Sequence, residues 1–85
     1  MKSYNINKEL IVQSLDKETV IFDGTKSILF TLNETASYIF RKLKAKVPTD
    51  RIAVLLAKNF EVTEKQAKKD IRELIVKLAK KKILV

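Results

Sequence analysis

Neither cysteine nor histidine occurs among the 85 residues, and glycine and proline occur once each. Without cysteine there is no disulfide framework and no thiolate site, and without histidine the commonest metal ligand and general base is missing. Most familiar catalytic constellations are thereby excluded, and no cofactor or metal is called for. Long apolar runs are lacking too. The longest, Ile52 to Ala57, falls far short of the roughly 20 residues needed to cross a bilayer. The polar start, Met1 to Glu9, has no signal-peptide core, so a cytoplasmic protein is expected.

What the chain does have is apolar content and positive charge. At 46% hydrophobic and 33% charged residues, it carries enough apolar surface to offset the entropy of ordering, which disordered chains do not. Its length fits a single domain over residues 1–85. Eighteen basic residues against ten acidic ones give a net charge of +8, densest near Lys80, Lys81 and Lys82. Such a balance favours an acidic partner, whether nucleic acid, an anionic membrane surface or an acidic peptide.

Strand-forming residues dominate the first third. Leu10 to Leu15, Glu18 to Phe22 and Lys26 to Leu32 read as three strands. Asp16-Lys17 forms the first turn and Asp23-Gly24-Thr25 the second, with Gly24 expected to supply a positive φ. Short turns make this an antiparallel meander. At Asn33 the apolar period changes from two to about 3.6. A first helix follows, capped by Asn33 and carrying Ala36, Ile39, Phe40 and Leu43, and Val47-Pro48 is expected to stop it. Thr49 is expected to cap a second helix bearing Ile52, Leu55, Leu56 and Phe60. Thr63 and Gln66, in capping-box spacing with Val62 stapled to Ala67, open a third helix running to about Lys81. Ile83 to Val85 are expected to rejoin the sheet or pack on the core.

Along the third helix, Ala67, Ile71, Leu74 and Leu78 form a narrow apolar seam facing the core. One flank carries Gln66, Asp70, Glu73 and Lys77, an ordinary solvated surface. The other interleaves Lys65, Lys68 and Arg72 with Ile75 and Ala79. Ile75 and Ala79 either widen the core stripe or join the basic residues in a strip suited to an amphipathic acidic segment. The third strand is an edge of the meander, and its unpaired N–H and C=O groups are a template for an incoming strand unless another element covers them.

The segment SILFTLNETASYIF, with Leu32-Asn33 followed by Ala36, Ile39 and Phe40, resembles the LN-x-x-A-x-x-I-W signature of the PqqD-like family, peptide chaperones also called RiPP recognition elements. Phe40 stands where the family usually has tryptophan. Thr49, Ile52 and Leu56, the Phe60-x-Val62 junction and the long last helix extend the likeness over nearly the whole chain, and Lys81-Lys82 stand where many members have a glycine. The resemblance implies a winged helix-turn-helix-like α+β fold, three strands and then three helices. It further implies a non-catalytic protein that binds the leader of a ribosomally made precursor peptide and presents it to a separate enzyme, such as a radical SAM enzyme or a leader peptidase. The leader would add antiparallel to Ser27, Ile28, Leu29, Phe30 and Thr31, with Lys65, Lys68, Arg72 and Ile75 as the opposite wall, and would be acidic and amphipathic. A monomer or weak dimer is expected.

Two other classes compete. A DNA-binding winged helix also pairs a short helix with a long one on a basic chain. Against it, the third helix has one arginine and no asparagine, and base edges are read mainly by Arg, Asn and Gln. An enzyme would have to draw on Asp16, Asp23, Asp50 and Asp70, or on the hydroxyls of Ser27, Ser37 and Tyr38. The carboxylates fall at turns, helix starts or a solvated flank, where capping and solvation explain them, and the hydroxyls lack an activating base.

Overall fold

The computed structural model describes residues 4–85, so the first residues of the Met1 to Glu9 segment lie outside it. Its elements run β1 (Ile11–Leu15), β2 (Glu18–Asp23), β3 (Ile28–Leu32), α1 (Glu34–Lys44), α2 (Thr49–Phe60) and α3 (Glu64–Lys80). The strands form an antiparallel sheet in the order β1-β2-β3, as expected for a meander. Register follows the alternation of apolar side chains. Val12 pairs with Ile21 and Ile21 with Phe30, all on the face that turns toward the helices, whereas Ile11, Phe22 and Leu29 line up across the opposite face. On that outer face Ile11 is 63% and Leu29 61% exposed.

The core lies between the inner face of the sheet and the helices. Ile21 and Leu32 from the strands meet Ile39, Phe40 and Leu43 of α1, Ile52, Ala53 and Leu56 of α2, and the α3 seam Ala67, Ile71, Leu74 and Leu78. All four seam residues are buried, as the 3.6-residue spacing requires. Tyr38 and Phe60 lock α1 to α2 edge to face, with ring centroids 5.2 Å apart.

Local hydrogen bonding explains where the elements begin and end. The Asn33 side chain accepts from the Ala36 N–H at 2.9 Å, and the buried Ser37 hydroxyl donates to the Leu32 carbonyl at 3.1 Å. The passage from β3 into α1 is therefore clamped from both sides, which accounts for the strand-to-helix signature in physical terms. Thr63 accepts from the Gln66 N–H at 3.0 Å, but the Gln66 amide donates onward to Asp70 at 2.7 Å. Only the Thr63 half of the capping box is thus used.

Three expectations need correction. Gly24 does not adopt a positive φ. Ser27 does, at 54°, so β3 starts at Ile28 rather than Lys26. The loop is held instead by Asp23, whose carboxylate accepts from the Thr25 hydroxyl at 2.7 Å and the Thr25 N–H at 3.1 Å. These bonds, the hydroxyl's foremost, keep the Asp23 carboxyl below its ordinary value. Pro48, not Thr49, is the N-cap of α2, and no side chain caps that helix. The first helix ends at Lys44, before Val47-Pro48 can act, because Lys46 turns left-handed and the Lys46 and Val47 N–H groups bond back to the Leu43 and Lys42 carbonyls. Of the two outcomes expected for the last residues, packing on the core is the one found: Ile83 and Leu84 are buried, whereas Val85 is exposed. Leu84 bridges Ile6, the Asn7 N–H donates to the Ile83 carbonyl at 2.8 Å, and the Val85 N–H donates to Asn5 at 2.9 Å.

The end of α3 repeats the closure seen in α1. Lys82 sits at φ 61°, and the Lys82 and Ile83 N–H groups return to the Ala79 and Leu78 carbonyls. A left-handed position one residue past the C-cap, here Lys81, is where glycine is favoured, which gives the glycine of related sequences a physical reason. Lys82→Gly is accordingly expected to raise stability by up to about 1 kcal/mol, seen as a higher midpoint in a urea titration monitored by circular dichroism.

Candidate peptide-binding cleft

Within the sheet β3 pairs with β2 alone, which leaves its other edge without a neighbouring strand among the described residues. The C-terminal bridge is made to Ile6 and does not cover it. The α3 helix packs chiefly against α2 and stands off from β3. Beside the end of β3 lies a cleft between the start of α1 and α3, lined by Asn33, Thr35, Ala36 and Ile39 on one side and Asp70, Glu73, Leu74 and Lys77 on the other. Toward the far end of α3, the Lys81 ammonium sits 4.5 Å from the centroid of the Phe30 ring, a cation–π contact that ties the helix end to the strand. An extended segment entering here would find main-chain donors and acceptors on one side and a helix with mixed charge on the other.

Of the strand residues read from the sequence, Ile28 to Thr31 all lie in β3, and Ser27 precedes it in a left-handed conformation. Leu29 and Thr31 point outward, while Phe30 is partly buried against the core. Ser27 is therefore turned out of the ladder, because a positive φ breaks the extended path.

The helix residues fall differently. Lys68, Arg72 and Ile75 come together on one flank of α3. They line a separate cleft with Ile71 and Val76, closed by Tyr4 and by Thr49 and Asp50 at the start of α2. Lys65 is exposed in the first turn of α3, on that same flank. No residue of β3 lines that cleft, so it does not by itself set these four opposite β3. A seam of buried residues has two flanks about 100° to either side, and spacing alone does not say which neighbour each one meets. The residues that line the cleft beside the end of β3, Asp70, Glu73 and Lys77, have the pattern of a solvated surface, and no local signal marks them.

Among the described residues no cluster of three or more acidic side chains is placed to hold a metal ion. None of the helices is long and apolar enough to cross a membrane.

The family model for "Coenzyme PQQ synthesis protein D (PqqD)" matches residues 18–84. The chain belongs to the PqqD family. Two solved structures share its fold closely. One, a lasso peptide synthetase B1 complexed with the leader peptide, is 25% identical over 99% of both chains with a TM-score of 0.92. The other, TbiB1 in complex with the TbiA(beta) leader peptide, is 21% identical, covers 94% of this chain and 93% of its own, and has a TM-score of 0.86. Among curated proteins, none matches the sequence. Three antiparallel strands followed by three helices is thus the architecture of this PqqD-family chain and of both structures.

Proposed function

We propose that this PqqD-family protein binds the leader of a ribosomally made precursor peptide as an added strand on β3 and presents it to a separate modifying enzyme in the cytoplasm. The observation that carries this reading is the edge of β3 left without a neighbouring strand among the described residues, next to a cleft between α1 and α3 that lies where β3 ends. Both structural relatives are described with a leader peptide bound, which supports the same use here. Backbone bonds to the alternate residues of Ile28 to Thr31 that face the open edge give affinity without regard to sequence. Leu74, Lys77 and the aromatic face of Phe30 supply the side-chain selection.

The charge of the cleft adjusts what the leader must be. Asp70 and Glu73 against Lys77 leave it mixed rather than basic, so a leader with apolar anchors fits it without needing to be acidic throughout. No chemistry is asked of the protein itself. Holding the leader raises the concentration of the attached core peptide at the enzyme, which is a gain of proximity alone. The enzyme partner is a radical SAM enzyme, a leader peptidase or another maturation enzyme acting in trans.

An NMR titration of the labelled protein with the leader encoded beside its gene tests this. Amide shifts are expected at Ile28 to Thr31 and at Glu73, Leu74 and Lys77, with Lys65, Lys68 and Arg72 little changed. A leader that binds while leaving β3 unmoved would sink the strand-addition reading.

A further inference from the structure

The α3 helix has two working flanks, and leader binding uses only one. On the other, a cleft of about 390 Å³ lies between the middle of α3 and the start of α2. Ile71, Ile75 and Val76 make its apolar floor, and Val76 is 50% exposed although the helix on which it sits is otherwise neatly amphipathic. Lys68 and Arg72, one turn apart, stand exposed on its rim, with Asp50 across from them. We infer that this second cleft is a docking surface for an acidic amphipathic helix of the modifying enzyme that receives the held peptide, an inference that rests on the leader-binding reading above.

Charge separates the two clefts. Lys68 and Arg72 against Asp50 give the second a balance of two positive to one negative, a net +1. Asp70 and Glu73 against Lys77, with Lys81 at its far end over Phe30, leave the first with no net positive charge. Carboxylates on an incoming helix are therefore drawn to the second cleft in preference to the first. An exposed apolar floor with cations on one rim is the complement of a helix whose apolar stripe is bordered by glutamate or aspartate, a recurring way for one helix to lie in the groove of another protein. Nucleic acid is a poorer occupant, because a phosphate backbone gains nothing from Ile75 and Val76 and is repelled by Asp50. Since the clefts lie on opposite flanks of one rigid helix, both can be filled at once. The enzyme is then anchored a helix width from the leader.

Two synthetic helical peptides with the same leucine pattern, one flanked by glutamates and one by lysines, serve as probes, with a random DNA duplex as the third. Each is titrated separately into the labelled full chain. The glutamate peptide is expected to shift Tyr4, Thr49, Arg72 and Val76 amides and to bind at least tenfold more tightly than the lysine peptide. Lys68→Glu with Arg72→Glu is expected to reverse that preference while the leader still moves Ile28 to Thr31. The maturation enzyme encoded beside the gene should lose at least tenfold in affinity for the doubly reversed protein. Equal affinity for the two peptides, shifts mapping to the β3 cleft, preferential shifts of the same residues by DNA, or an enzyme indifferent to the reversal would each overturn the inference. If instead the leader fails to move β3 while the glutamate peptide binds as described, the leader reading falls and the acidic-helix surface stands.

Discussion

Of the two variants Leu29→Pro and Phe30→Pro, one is expected to keep the stability of the chain and lose at least about tenfold in leader affinity, and the other to lose stability. Neighbouring residues of a strand send their N–H groups to opposite sides, so of these two one donates toward β2 and one toward the open edge. Proline removes the donor in either case. On the β2 side a carbonyl is left unsatisfied inside the ladder, at a cost of about 1–3 kcal/mol. On the open side the fold loses little, since edges tolerate proline, but the incoming strand loses a partner and meets the ring. Tenfold in affinity corresponds to about 1.4 kcal/mol, within reach of that loss. Each proline is compared with alanine at the same position, so that lost side-chain packing cancels. Thermal melts and calorimetric titration with the leader give the two readouts, and a pair of prolines that both leave affinity intact would rule out pairing along β3.

A larger effect is expected on stability from Phe40→Ala. Phe40 is 1% exposed and sits in α1, the helix that packs on β2, β3 and α2 together. Truncating a buried phenylalanine removes its transfer free energy and leaves a cavity that three elements would have to close, a loss of about 3–5 kcal/mol. At about 0.05–0.15 kcal/mol per residue, a chain of this length has only about 4–13 kcal/mol in total. The melting temperature should fall by about 12–40 °C, given about 4–8 °C per kcal/mol for a domain of this size. Circular dichroism during heating measures it. A fall of only a few degrees would show that the core around Phe40 collapses to fill the space.

The parts of the molecule that follow from local rules were legible in the sequence. Alternation placed the three strands, the period change at Asn33 placed the helices, and the seam from Ala67 to Leu78 is buried as its spacing demands. One residue's local preference does not decide a loop. Gly24 was the favoured site for a positive φ, yet the Asp23 and Thr25 bonds shape that turn and leave Ser27 to take the left-handed conformation. Pro48, whose fixed φ and ring were expected to matter for ending α1, serves as the N-cap of α2. Nonlocal facts were out of reach. Nothing near Lys68 or Arg72 in sequence says that they face the start of α2, since that depends on how α2 and α3 cross. Pairing of Leu84 with Ile6 joins residues from opposite ends of the chain and leaves no mark on either stretch alone.

That last pairing sets how the unit can be joined to other chains. Asn5 and Val85 share a backbone hydrogen bond, so the path into the fold and the path out lie side by side. A host protein could carry the unit as an insertion between two neighbouring residues of a surface loop, with almost no closure entropy added by the graft. The captured peptide would then emerge at a fixed bearing from the host rather than swing on two separated tethers. Whether the unit works as a free partner or as a passenger is, for this fold, a matter of splicing rather than of redesign.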